Sequence, residues 1–266
     1  MKDKIYMKDK LNIKNRIAGY NIPTFIDIPE NSQDIIIMCH GFGGNKDDFI
    51  SKIISKMITD NGIGIVAFDF PIHGESKAKM DEFTVENCVA DINTIREFIR
   101  ENFPQKSISL LATSFGGYIA INSFLDGNEF YKYVILKSPA INMKDVLINC
   151  LLKEKFEDYQ KNGAAKMGRN GKIKVTYDFY QNLVENDILR RNNNLKQKML
   201  IFHGAEDDTA LIDDTERFIT LNGEVTRLIK IPKENHKMKI ETIEKILGYI
   251  IKCIKEERTN KVIDGR

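Results

Sequence analysis

LLATSFGGYIA, residues 110–120, joins an apolar run that reads as a strand to one that reads as a helix, with Ser114 at the junction. A sharp strand-to-helix turn of this kind can raise one hydroxyl above the carboxyl end of a sheet. It needs small residues two before and two after, because strand and helix crowd there. Ala112 and Gly116 fill those places, with Gly117 beyond. The same residues also suit an ordinary helix start capped by serine, so the neighbouring segments must decide.

On both sides of this stretch, short apolar runs alternate with segments of helical period. Residues 34–39, 64–70, 107–112, 132–138, 199–203 and 225–231 read as strands. Residues 46–60, 85–103, 118–125, 211–221 and 238–255 read as helices, several ended by Asn-Gly or Pro. The pattern predicts an α/β fold with a mostly parallel central sheet and helices on both faces. Before residue 34, RIAGYNIPTFIDIP suggests a hairpin of short strands at the sheet edge.

The rhythm breaks between residues 140 and 196, so residues 1–139 and 197–266 are expected to form the core, with 140–196 a small helical cap or lid. Within it, Met143, Val146, Leu147, Cys150, Leu151 and Leu152 suggest one amphipathic helix running toward Tyr159. GAAKMGRNG (163–171) reads as a mobile loop, and 176–191 as a second helical piece. Its aromatics Phe156, Tyr159, Tyr177, Phe179 and Tyr180 would either pack the cap or touch a ligand.

Of the 266 residues, 42% are hydrophobic and 29% charged, and 40 basic side chains face 38 acidic ones. That balance gives no global reason to expect nucleic acid or an anionic membrane as partner. The four cysteines are widely spaced, with no CxxC and no Cys/His cluster, so reduced thiols, no metal and no cofactor are expected. The opening MKDKIYMKDKLNIKNR lacks the apolar core of a signal peptide, and no run reaches a membrane span, which together suggest a cytoplasmic protein.

A serine hydroxyl at neutral pH needs a base, and the base needs an orienting partner. Of the four histidines, His40, His73 and His203 each precede a glycine at a strand end, whereas His236 stands alone in KENHKMK, after the last strand. The acid should lie between Ser114 and His236, and HGAEDDTA offers both Asp207 and Asp208 after the penultimate strand. Asp69 precedes the serine, which is the wrong order. HGFGGNKDDF (40–49) follows the first core strand and can aim backbone N–H groups at a developing oxyanion. Phe42 is the donor expected there, and Phe115, just after Ser114, the second. A phosphate loop is disfavoured, since no GK[ST] follows.

HGFGG, DFPIHGES, ATSFGG and HGAEDD, followed by a late histidine, together resemble the α/β-hydrolase superfamily. Within it they are similar to a bacterial esterase branch that includes cinnamoyl and feruloyl esterases and monoacylglycerol-lipase-like or serine-aminopeptidase-like members. The resemblance implies an α/β-hydrolase fold and carboxylic ester hydrolysis through an acyl-enzyme. It aligns H-G-x-x-D onto Asp207, giving Ser114 as nucleophile, His236 as base, Asp207 as acid, and Phe42 and Phe115 as oxyanion donors. Ala112 stands where the family more often has Gly, and Ile72 where it often has Gly before His-Gly. A small-molecule ester is the implied substrate. A peptidase or amidase on the same triad is a competing reading. An acyl thioesterase is another, with Lys46, Lys166 and Arg169 as the suggestive basic surface. The non-enzyme alternative is a ligand-binding member of the fold.

Overall fold

A computed structural model describes residues 7–125, 131–168, 171–191 and 195–263, with the side chains of the last helix to residue 256. The chain opens with a hairpin, β1 (Met7–Lys14) and β2 (Asn21–Ile28), each strand eight residues long. This edge hairpin starts earlier than the RIAGYNIPTFIDIP stretch suggests, because alternation in Met7–Lys14 is hidden among lysines. Strands and helices then alternate: β3 (Asp34–Cys39), α1 (Phe49–Asp60), β4 (Gly64–Phe68), α2 (Val85–Asn102), β5 (Ser107–Thr113), α3 (Phe115–Phe124) and β6 (Val134–Lys137). After residues 140–196 come β9 (Met199–Gly204), α7 (Ile212–Asn222), β10 (Thr226–Ile231) and α8 (Ile240–Ile263), the last extending past the expected end near residue 255.

The eight-stranded sheet has the order β1-β2-β4-β3-β5-β6-β9-β10. Pairings from β4 to β10 are parallel, and the two made by β2 are antiparallel. Period-two alternation divides the strand residues between two cores. Ile35, Ile37, Leu110, Ala112 and Leu136 pack with α2 and α3 on one face. Ile36, Met38, Leu111, Ile135 and Phe202 pack with α1 and α8 on the other. Every residue of β3 and β4 is buried, as a strand covered on both faces requires.

Residues 140–196 hold α4 (Met143–Val146), a π-helical turn (Leu147–Leu152), α5 (Phe156–Asn162), a ribbon of β7 (Ala164–Met167) with β8 (Ile173–Thr176), and α6 (Tyr177–Glu185). Within the expected loop over 163–171, Ala164–Met167 form a strand, and residues 169 and 170 lie outside the described residues. Met167, Ile173 and Val175 are buried on one side of the ribbon, an alternation masked in sequence by the intervening glycines and lysines. The single expected helix toward Tyr159 is broken at Lys153, whose φ is 55°.

Asp91 on α2 ties the edge hairpin down. Its Oδ1 accepts from Asn15 Nδ2 at 2.7 Å and from the Tyr20 hydroxyl at 2.9 Å. Among the described residues its buried Oδ2 has no partner. Burial pushes this carboxyl up to about 8, against the pull of the Asn15 and Tyr20 hydrogen bonds. The folded chain therefore holds a proton that the unfolded chain releases near the ordinary aspartate value. Its contribution to stability falls as pH rises between that value and about 8, by at most about 1.4 kcal/mol per pH unit. Asp91→Asn should flatten this slope, read as the change in urea midpoint between pH 5 and 8.5.

Candidate active site

Ser114 sits between β5 and α3 with φ 53° and ψ −116°, left-handed backbone that a side chain occupies at a cost of about 1–3 kcal/mol. The turn is held from several directions. Ser114 N–H donates to Lys137 O at 3.0 Å, and Ser114 O accepts from Tyr118 and Ala140 N–H, each at 3.1 Å. Gly116 allows the close approach, since a Cβ there would lie 2.7 Å from the carbonyl oxygens of Cys39 and His40. The methyl of Ala112 is fully buried in the core beneath.

His236 lies between β10 and α8, and its Nε2 is 2.9 Å from Ser114 Oγ. Its Nδ1 is 2.8 Å from Asp207 Oδ2, so Nδ1 carries the hydrogen and Nε2 faces the serine as an acceptor. Asp207 follows β9. Its Oδ1 accepts from the Thr209 and Ala210 N–H groups at 3.0 and 2.9 Å. Burial alone would raise this carboxyl, but hydrogen bonds from His203 and His236 hold it well below the usual range. Asp208 is exposed and meets Thr209 Oγ1 at 3.3 Å. The acid and histidine loops fit together at Gly204, where any Cβ would collide with the Glu234 carbonyl.

Sequence position assigned no site role to two residues of this arrangement, His203 and Lys137. His203 is fully buried, with Nε2 3.2 Å from Asp207 Oδ2 and Nδ1 3.0 Å from the Thr215 hydroxyl. It approaches the same carboxylate oxygen that faces His236, and its Nε2 also lies 2.7 Å from the Ala210 carbonyl. Lys137 ends β6, buried, and donates from Nζ to the His236 carbonyl at 2.8 Å. Burial lowers its amine to about 8, with Asp207 and Glu234 pulling the other way. A charged residue closing the buried run VILK just before Ser-Pro was the available signal.

The HGFGG loop is pinned to the DFPIHGES loop. Asp69 accepts from both Lys46 N–H and Lys46 Nζ at 2.8 Å, and from Glu75 N–H at 2.8 Å. Burial would lower the Lys46 ammonium, but Asp69 and Glu75 raise it. Lys46 is therefore not the exposed basic surface the thioesterase reading wanted, Lys166 is exposed, and Arg169 lies outside the described residues. His40 Nε2 accepts from Phe70 N–H at 3.1 Å and completes the stitching. Ile72 has φ 61°, a conformation costly for a β-branched residue. Among the described residues no acceptor takes the Phe42 N–H, and the Phe115 N–H opens α3 with no preceding helical carbonyl. Their rings meet edge to face with centroids 6.1 Å apart.

Ser114 and His236 line one wall of a cavity of about 460 Å³ that runs toward α1. The aromatics of 140–196 do not line it. Tyr159 and Phe179 are buried, Phe179 stacks on Phe83 at 4.1 Å, and Phe156, Tyr177 and Tyr180 pack on one another. Among the described residues no group of acidic, His or Cys side chains could hold a metal ion, and no helix is long and apolar enough to cross a membrane.

A family model described as serine aminopeptidase, S33, matches residues 30–172, more than half of the chain. Protein phosphatase methylesterase 1 of Candida albicans is 31% identical over 119 residues, 44% of this chain. The match spans 32% of that protein, about a third of its length. Among solved structures, Est1E from Butyrivibrio proteoclasticus with ferulic acid bound superposes with a TM-score of 0.76 at 18% identity, over 95% of this chain and 99% of that one. Mouse alpha/beta hydrolase domain-containing protein 10 gives 0.70 at 15% identity, over 94% and 99%. The Pyrococcus furiosus esterase Pf2001 gives 0.71 at 17%, over 94% and 91%. At these identities the likeness to solved structures is one of fold.

Proposed function

Because the chain belongs to the serine aminopeptidase S33 family of α/β hydrolases, we propose that it is a serine hydrolase cleaving carboxylic esters through an acyl-enzyme. The observation that carries this reading is the unbroken contact from Ser114 Oγ through His236 to Asp207, at 2.9 and 2.8 Å, on a strained turn. His236 takes the proton of Ser114 as the hydroxyl attacks the ester carbonyl. The negative oxygen that forms is met by the N–H groups of Phe42 and Phe115. His236 then protonates the departing alcohol, and water repeats the steps to free the acid. Asp207 keeps the imidazole in the tautomer this needs. The 140–196 segment serves as the cap, and the reduced thiols fit a cytoplasmic setting.

An ester is favoured over a free amino terminus by the charges in the cavity wall. An aminopeptidase must receive an ammonium group, yet Lys137 and Lys237 line this cavity. The Asp48 carboxylate there already caps α1 through Ser51 N–H at 2.8 Å. The similarity to a methylesterase points the same way. The discriminating experiment offers the protein matched p-nitrophenyl esters, aminoacyl p-nitroanilides and acyl thioesters. Ester turnover at least tenfold faster than either supports the reading, and faster anilide turnover overturns it.

Lys137 acts here as a positioning residue. Lys137→Met leaves the His236 carbonyl without its donor and loosens the imidazole. We expect kcat to fall about tenfold, equivalent to ~1.4 kcal/mol in the barrier, with KM little changed. Lys137→Arg should recover much of the loss, which steady-state kinetics will show.

A further inference from the structure

The cavity beside Ser114 has a definite chemical character. Its apolar walls are Met38 from β3, Ile50 and Ile54 from α1, and Met238 from the His236 loop. Ile50 and Ile54 are four residues apart and so share one helix face. Three of the polar groups in its wall are committed. Ser51 Oγ donates to Asn45 O at 3.0 Å, the Asp48 carboxylate caps α1, and Lys137 Nζ is turned to the His236 carbonyl. On the α1 side a phenolic hydroxyl would meet only polar side chains that are already hydrogen-bonded, Ser51 and Asp48. On the opposite side of Ser114 the space is filled, because Phe115 packs against Phe83 and Phe179 at 5.6 and 6.2 Å. The acyl half of an ester remains bonded to the serine after the alcohol has left for solvent, so it is the half with use for an inner wall.

We propose that the slot between α1 and residues 232–239 is the acyl-binding site, and that it takes a neutral, linear aliphatic chain of medium length. This rests on Ser114 being the nucleophile. Each methylene added to the acyl chain then buries further apolar surface and raises kcat/KM about fourfold until the slot is full.

The test is a series of p-nitrophenyl esters from acetate to octanoate, an alkyl acetate series, and a feruloyl ester. Wild-type kcat/KM should climb with acyl length and exceed that for the feruloyl ester. Ile50 is half-buried on the helix surface and accepts a larger side chain. Ile50→Trp, which fills the slot, should lower the hexanoate-to-acetate ratio at least tenfold. Ile50→Ala should move the optimum to a longer chain. A flat acyl profile, a feruloyl preference, or a shift confined to the alkyl acetate series would overturn the assignment. In those cases the protein still hydrolyses esters and Ser114 still reacts with a fluorophosphonate. Failure of both would instead remove the nucleophile itself, and the slot with it.

Discussion

Ser114→Ala is expected to lower kcat for a p-nitrophenyl ester by on the order of 10⁴–10⁶, with no covalent burst. The size follows from the chemistry. Without the hydroxyl no acyl-enzyme can form, and what remains is binding and the oxyanion donors acting on an attacking water. His236→Ala should cost about as much, and the double variant little more, since the two groups act as one device. The fold should persist in both. Ser114 Oγ caps no helix, and the alanine must still occupy φ 53°, so its backbone strain remains. Ser114→Gly is the informative control. It should be equally inactive but more stable than Ser114→Ala, because glycine adopts this conformation freely. Equal melting temperatures for the two would mean that the turn stores no strain.

The second large effect separates two adjacent carboxylates. Asp207→Asn should lower kcat by about 10⁴, as an amide opposite Nδ1 favours the wrong imidazole tautomer. Asp208→Asn should change it less than twofold, since that side chain is exposed and, among the described residues, hydrogen-bonds to Thr209 and not to His236. The pH behaviour follows from the same geometry. Asp207 is held well below the ordinary aspartate range by His203 and His236. Its contribution to stability is therefore present above the unfolded aspartate value and is lost only as pH falls toward the depressed folded one. Comparable losses in both Asn variants would show that the loop, and not one carboxylate, matters.

Much of this architecture is legible from residue order. Buried parallel strands are covered on both faces, so DIIIMC and GIVAF appear as continuous apolar runs. Ser114 is conspicuous because a hydroxyl stands where strand period yields to helix period, and His236 because it alone among the histidines lacks a following glycine. Preference for Asp207 over Asp208 came from a motif resemblance, and local composition cannot separate two neighbouring aspartates. Only the path of the loop after β9 turns one inward and the other to solvent. What escaped notice depends on contacts between distant segments. Lys137 meets the His236 carbonyl across 99 residues, and Lys46 meets Asp69 across 23. The β7–β8 ribbon escaped because its pairing, rather than its composition, makes it a strand pair. The slot beside α1 is likewise a property of three elements brought together, and none of its residues signals it alone.

The most direct measurement is the site of covalent capture. The folded protein is treated with a fluorophosphonate, digested, and the adduct located by tandem mass spectrometry. The account predicts one adduct, on Ser114 in the peptide spanning residues 107–132, that disappears when the protein is first denatured. An adduct on Ser107, Ser109 or Ser123 of that peptide, or no adduct on a protein that still hydrolyses esters, would contradict it.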